Sequence, residues 1–323
     1  MSKILITGGA GFIGTHLCKR FLDGGHEVIC VDNFLSGSRD NIKPFLANPK
    51  FQLIEHDVCQ PMPRDPTGLD AIFHFACPAS PNPSSPISYI HFPVETMMVN
   101  TLGSQRMLEL AHNNRCQIIF ASTSEVYGDP EIHPQPETYW GNVNPNGVRS
   151  CYDEGKRAME ALAFAYHRLG QTAVKVIRIF NTYGPGMRID DGRFTINLID
   201  SHLHNKPFAM YGDGRATRSF CYIDDLVEGI MQIYNTDQAA GEVINLGNPT
   251  ELTLNEAITI FEKIVGKPLI KEQRSTMQDD PKRRNPDISK AKKMLGWEPQ
   301  VDFSEGIKKT LEHYRHSDRS GGI

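Results

Sequence analysis

The sequence predicts an α/β fold, a doubly wound parallel sheet with a smaller, interleaved C-terminal unit. Three observations lead there. A glycine-rich turn joins the first strand pattern to the first helix pattern. Strand and helix patterns then alternate through the first half of the chain. Beyond Phe180 the alternation stops and short, mixed elements take over. A length of 323 residues leaves room for about two units.

The first strand is read from Ile4, Leu5, Ile6 and Thr7, four apolar or β-branched residues in a row. Gly8-x-x-Gly11-x-x-Gly14 follows, and Leu17, Phe21 and Leu22 then recur at helical spacing. Strand, glycine turn and helix in that order make a dinucleotide site of the Rossmann type. Gly8 permits the tight turn, Gly11 lets the backbone approach a pyrophosphate, and Gly14 lets the helix lie close to the strand. The helix start, at Phe12 and Ile13, supplies free N–H groups and partial positive charge for that pyrophosphate. A second strand, Glu27 to Val31, ends at Asp32, 18 positions after Gly14. An acid at about that distance bonds a ribose 2′-hydroxyl. Asp32 would repel a 2′-phosphate, so NAD rather than NADP is the expected cofactor. Asn33, Phe34, Ser36 and Gly37 belong to the loop where the adenosine ribose would lie. Asp57 and Val58 follow the third strand, a natural position for an adenine contact, though Asp57 serves equally well as a turn residue.

Composition narrows the partners. The chain is 39% hydrophobic and 22% charged, with a net charge of −4, which favours neither nucleic acid nor an anionic membrane. No apolar run approaches the ~18 residues that span a bilayer. The first strand begins almost at once, so no signal peptide is expected. Seven scattered cysteines without a CxxC pair suit a reducing cytoplasm.

Strands are expected at 3–7, 27–31, 51–55, 71–75, 116–121 and 173–179, and helices at 11–24, 94–114 and 150–169. One return to the sheet is expected near 241–247. Five prolines between Pro78 and Pro93 exclude regular structure there. That loop leaves the carboxyl edge of the sheet, where ligands bind in this architecture. Residues 1–180 form the expected NAD-binding unit, 181–316 mostly the substrate-binding unit, and 317–323 a disordered tail.

The chemistry gathers at two segments. Ser122, Thr123, Ser124 and Glu125 end the fifth strand, so hydroxyls and a carboxylate reach the sheet edge. Phe75 and Ala76, which end the fourth strand, join Ser122 and Asn100 as further cofactor contacts. Tyr152 and Lys156 are four apart at the start of a helix and share one face. A phenol ordinarily titrates near 10. An ammonium alongside and a positive nicotinamide ring favour the phenolate and lower that value. Such a phenolate takes a proton from a substrate hydroxyl while hydride leaves the same carbon for NAD. Thr123 donates a hydrogen bond to the same oxygen. Taken alone, Tyr152 and Lys156 also read as a helix-surface pair, and Ser124 and Glu125 as a structural strand end. His202 and His204 face apart on a helix, so no metal site is expected.

Several blocks carry a resemblance. They are Ala76 to Pro81, Ala121 to Pro130, Tyr139 to Pro145, Arg149 to Arg157, Ile179 to Pro185, Asp191 to Arg193, Tyr211 to Gly214, Thr217 to Phe220 and Asp279 to Asp287. With them the chain resembles the nucleotide-sugar group of the extended short-chain dehydrogenases/reductases, the NAD-dependent epimerase/dehydratase family. Within that group it is most similar to decarboxylases of nucleotide-linked uronic acids. The resemblance implies conversion of UDP-glucuronate to UDP-xylose: transient oxidation at C4, loss of CO₂ from the 4-keto acid, and reduction at C4. A 4-epimerase, a 4,6-dehydratase or a decarboxylase of a modified UDP-uronate is the alternative. It implies catalytic roles for Tyr152, Lys156, Thr123, Glu125 and Ser124, and no metal. Pro78, Glu125 and Asn181 would touch the UDP-linked sugar acid, and Arg284 would balance its negative charge. Arg193 and Arg218 would meet the diphosphate, and Tyr211 would stack on the uracil. The 94–114 and 150–169 helices would pair across a homodimer. One stretch departs from the family: a long, proline-rich link precedes Pro93, and Glu95 stands where a lysine is common. That loop lies over the sugar pocket, so it bears on which sugar acid is accepted.

Overall fold

The computed structural model describes residues 1–275 and 283–319, with 317–319 described in the backbone alone. In chain order it runs β1 (Lys3–Thr7), α1 (Phe12–Asp23), β2 (Glu27–Asp32), α2 (Arg39–Ile42), β3 (Phe51–Glu55), β4 (Ala71–His74), α3 (Pro93–Met98), α4 (Ser104–Asn114), β5 (Gln117–Thr123), α5 (Ser150–Arg168) and β6 (Val174–Ile179). Then follow β7 (Thr182–Tyr183), α6 (Phe194–Leu203), β8 (Phe208–Tyr211), β9 (Thr217–Ser219), β10 (Cys221–Tyr222), α7 (Ile223–Asn235) and β11 (Glu242–Leu246). Last come β12 (Glu251–Thr253), α8 (Leu254–Val265), β13 (Lys271–Arg274), β14 (Arg283–Arg284), α9 (Ser289–Leu295) and α10 (Phe303–Arg319).

A seven-stranded parallel sheet takes the order β11-β6-β5-β4-β1-β2-β3. Ile4, Leu5 and Ile6 of β1 are fully buried because both faces of the sheet are covered. Alternation along the strand sends Ile4 and Ile6 into a cluster with Leu17 and Phe21 of α1. The same cluster continues through Ile196, Leu226, Phe261 and Leu311, so the C-terminal elements share a core with α1. Leu5 faces the other way, toward Met107 and Leu108 of α4 and Met159 of α5. Full burial of a Leu or Phe stabilises by roughly 1.5–3 kcal/mol. The cluster therefore ties the C-terminal elements to the sheet.

The expected strands and helices form with ends displaced by at most two residues, and β11 makes the expected return beside β6. Two differences matter. The 94–114 helix is not uniform: a π turn over Val99–Gly103 separates α3 from α4. The tail expected to be disordered from Ser317 begins inside α10, which is helical to Arg319; residues 320–323 lie outside the described residues.

The proline-rich segment between β4 and α3 runs as turns and bends. Three polar side chains fasten it to the loop before α6. Ser80 Oγ donates to the Asp191 carbonyl at 2.5 Å, Asn82 Nδ2 to Gly192 at 2.9 Å, and Ser85 Oγ to Asp190 at 2.6 Å.

Candidate active site

The strand order reverses between β1 and β4, and a cavity of about 620 Å³ opens at the carboxyl ends of β1, β4, β5 and β6. Gly8, Gly11, Phe12, Ile13 and Gly14 form one end of its wall. Gly8 has φ +69°, and a Cβ there would lie 2.8 Å from the Ala76 backbone. A Cβ on Gly14 would run into the Gly8 carbonyl oxygen. Gly11 is the N-cap of α1 and offers no side chain to its first N–H groups, so these stay open to a phosphate. Behind the turn, Asp32 accepts from the amides of Ala10 at 2.9 Å and Phe34 at 2.8 Å. Burial pushes its carboxyl up, against those two hydrogen bonds. A Cβ on Gly37 would come within 2.8 Å of Asp32 Oδ1, so glycine lets the loop close over the acid. This cradle, acid included, fits a dinucleotide with a free 2′-hydroxyl.

At the cavity's centre, α5 presents one stripe. Arg149 caps its start, and Tyr152, Asp153, Lys156 and Glu160 follow on the buried side. Thr123 and the Tyr152 phenol line the same cavity, and Thr123 Oγ1 accepts from the Glu125 amide at 3.3 Å. Lys156 Nζ donates to the Ala121 carbonyl at 2.7 Å and lies 5.9 Å from the Tyr152 ring centroid. Burial raises the Tyr152 phenol well above its ordinary value, which reverses the expected lowering. Burial is the largest cause, followed by the neighbouring Cys77 thiol; Lys156 is turned to a backbone carbonyl, and burial lowers its own value too. Tyr89, from the proline-rich loop, lies flat on the Tyr152 ring, and its buried hydroxyl has no hydrogen-bond partner. Ser122 Oγ donates to Glu160 Oε1 at 2.5 Å, and Glu160 in turn holds Arg178.

Glu125, in the short turn after β5, lies between two guanidinium groups. Arg149 Nη2 donates to Glu125 Oε2. Arg284 reaches Oε1 at 2.8 Å and Oε2 at 2.9 Å, and also Asn181 Oδ1 at 3.3 Å. Burial alone would raise the Glu125 carboxyl, but the two arginines outweigh it and hold it below its ordinary value. Asp153 nearby is pushed up to about 8, first by burial and then by the Glu125 charge. Arg218 sits beside Arg284 in the β9–β14 register. Arg193 pairs with Asp191 at 2.7 Å and 2.9 Å. Arg193 lines the same cavity as Tyr152 and Glu125. Tyr211 lines the far end with Met210 and Leu254.

Residues 5–310 match the GDP-mannose 4,6 dehydratase family. The chain is 49% identical to UDP-glucuronic acid decarboxylase 6 of Arabidopsis thaliana, over 97% of this chain and 89% of that protein. It is 45% identical to UDP-glucuronic acid decarboxylase 1 of Xenopus tropicalis, over 97% of this chain and 72% of that one. The chain belongs to the UDP-glucuronic acid decarboxylase family. Solved structures of related enzymes share the fold. DesIV, a dTDP-glucose 4,6-dehydratase of Streptomyces venezuelae with NAD and TYD bound, superposes with a TM-score of 0.87 at 28% identity, over 98% of each chain. A UDP-glucuronic acid 4-epimerase of Bacillus cereus, in complex with UDP-glucuronic acid and NAD, gives 0.85 at 30% identity, over 97% of this chain and 99% of that one.

In this member of the decarboxylase family, most of the expected residues line the one cavity: the glycine turn, Ser36, Phe75, Ser122 to Glu125, Tyr152, Lys156, Asn181, Arg193, Tyr211, Arg218 and Arg284. Others stand a layer behind. Ala76 packs against Gly8. Asn33 turns its side chain to the Leu35 amide, and Phe34 carries the Arg39 guanidinium over its ring. Asn100 sits in the π turn, where its amide donates to the Thr96 carbonyl and Cys77 Sγ. Asp57 accepts from the Cys59 amide, the turn role, and Val58 is buried in the core. Pro78 is buried, while its neighbours Cys77 and Ala79 form the wall. Two residues were not anticipated in the site. Arg149 precedes Tyr152 by three, a spacing that signals a shared helical face. Tyr89 has no periodic signal in an irregular loop. The Asp279 to Lys282 part of the resemblance lies outside the described residues. Among the described residues no group of His, Cys, Asp or Glu could hold a metal ion, and no helix is long and apolar enough to cross a membrane.

Proposed function

We propose that the protein converts UDP-glucuronate to UDP-xylose with bound NAD. One observation carries this reading beyond family membership: an oxidation centre of Tyr152, Thr123 and Lys156 shares its cavity with a glutamate flanked by two buried arginines. Arg284 already shares its guanidinium between Glu125 and the neutral Asn181 amide, and such a fork suits a second carboxylate, that of the sugar acid.

When bound, NAD supplies the acceptor, and later the donor, of a hydride at C4. Tyr152 takes the proton from the C4 hydroxyl as the ketone forms. The raised value of the empty-handed phenol is lowered by the positive nicotinamide ring. The ketone is β to the C6 carboxylate, so the C5–C6 bond breaks with its electron pair passing to the C4 oxygen. Thr123 and the reprotonated Tyr152 stabilise that enolate by hydrogen bonds. Glu125 and Ser124 flank C5, where a proton replaces CO₂. Tyr152 returns a proton to the C4 oxygen as the alcohol re-forms. Arg218 meets the diphosphate, Arg284 the carboxylate, and Tyr211 the uracil.

Residues 1–180 with β11 serve as the NAD unit and most of 181–316 as the sugar-nucleotide unit. A homodimer formed by the α3–α4 and α5 face is supported by the exposure of Val94 (68%) and Met98 (39%) on that face. Seven free cysteines suit the cytoplasm.

Incubation with UDP-glucuronate, analysed by mass spectrometry, tests the reading. CO₂ with a UDP-pentose supports it. A product that keeps all six sugar carbons overturns it in favour of epimerisation or dehydration.

A further inference from the structure

Glu125 has two cationic partners of different standing. Arg149 belongs to the same layer as Glu125 and to the same helical turn as Tyr152: its carbonyl accepts from the Tyr152 amide at 2.9 Å and the Asp153 amide at 3.1 Å. Its side chain is 5% exposed. Arg284 arrives from β14, a two-residue strand at the edge of a three-stranded sheet in the smaller unit, and divides its guanidinium between Glu125 and Asn181. A second carboxylate placed beside this cluster would compete with Glu125 for the Arg284 guanidinium, which is already shared with Asn181.

We propose that Arg149 is a positioning residue, the permanent counter-charge that keeps Glu125 aimed at the cavity, while Arg284 is the exchangeable partner that passes to the substrate's carboxylate. The exchange rests on the reading of the substrate as a nucleotide-linked sugar acid; the anchoring of Glu125 by Arg149 does not. The consequence is chemical. With both arginines in place Glu125 is firmly anionic. Once Arg284 is drawn to the sugar acid, one counter-charge remains and the carboxylate becomes a better proton acceptor. Replacing the carboxylate at C5 by hydrogen takes up one proton per turnover, so a carboxylate whose basicity rises on substrate binding suits that step. Without Arg149, the departure of Arg284 would leave a buried charge with no cation held against it by the sheet layer. The groups facing Glu125 are Arg149, Tyr152 and Asp153 from α5, Arg218 from β9, Arg284 from β14, Arg193 before α6 and Tyr89 from the proline-rich loop.

The test uses the NAD-loaded protein. Glu125 is followed by ¹³C NMR with carboxyl-labelled glutamate, assigned by its loss in Glu125→Gln. Without sugar, Arg149→Met should raise the Glu125 titration by about one unit or more, and Arg149→Lys by less. An unmoved titration in Arg149→Met overturns the anchoring, whatever the substrate proves to be. Arg149→Gln is read the same way if the Met variant does not fold. In turnover of UDP-glucuronate, Arg149→Met should lower kcat about tenfold or more with KM within about threefold, while Arg284→Met should raise KM about tenfold. A raised KM with unchanged kcat in Arg149→Met would make Arg149 a substrate ligand and overturn the proposal. In Tyr152→Phe, saturating UDP-glucuronate should raise the Glu125 titration and UDP-xylose should not. Equal responses overturn the exchange, and with a positive Arg149→Met titration they point to failure of the substrate reading alone.

Discussion

The Tyr89 ring lies parallel to the Tyr152 ring, with centroids 4.8 Å apart and planes 7° from coplanar orientation. The loop that carries Tyr89 is fastened at three points to the loop before α6, so the stack ties the reacting phenol to the cavity's cover. Tyr89→Phe keeps the ring and removes a buried hydroxyl that has no partner. It should retain turnover and gain up to about 1 kcal/mol in stability, measured by urea unfolding. Tyr89→Ala removes the ring and should lower kcat about tenfold or more. Equal kcat for the two variants would dissociate the stack from catalysis.

Tyr152→Phe should abolish turnover, by about 10²-fold or more, yet keep NAD binding. The ring, its stack and the cradle are untouched by loss of one oxygen. Isothermal titration with NAD and a product assay read the two effects separately; residual turnover near the wild-type rate would remove Tyr152 from its role.

Glu125→Gln should slow loss of CO₂ while leaving some oxidation at C4, seen as NADH absorbance with a six-carbon keto sugar by mass spectrometry. It also leaves two buried guanidinium groups without their shared anion. Breaking such a cluster costs about 3–5 kcal/mol. Loss of NAD binding with retained fold would instead mark Glu125 as structural.

Gly14→Ala puts a methyl group against the Gly8 carbonyl, which is backbone and cannot turn aside. The turn must open to admit it. NAD affinity should fall about tenfold or more, measured by calorimetry, while Gly68→Ala, with no neighbour within 4 Å, should leave it unchanged.

Asp153 gives a pH signature. Its carboxyl is pushed up to about 8 by burial and the Glu125 charge. Unfolded, it would release its proton near 4. Between those values the unfolded chain binds fewer protons than the folded one, so this group's contribution to stability falls as pH rises from about 4 through about 8. Asp153→Asn lacks that loss. Its stability relative to the wild type should therefore increase from pH 6 to pH 8.5 in denaturant titrations; a difference independent of pH would refute the assignment.

Near-neighbour chemistry was enough to read the parallel sheet, the glycine cradle, Asp32 and the Tyr152–Lys156 pair from the sequence. Those features depend on runs, turns and helical periods of a few residues, and each survives in the structure. The raised Tyr152 phenol did not follow from its spacing to Lys156, because burial pushes it up while Lys156 is turned to the Ala121 carbonyl. Nor did the partners of Glu125: Arg149 lies 24 positions away and Arg284 lies 159 away. The Tyr89 stack depends on an irregular loop folding back across the sheet edge. Periodicity assigns a residue to a face of its own element; which side chain from another element meets it there is set by how the elements pack, and only the tertiary structure decided that.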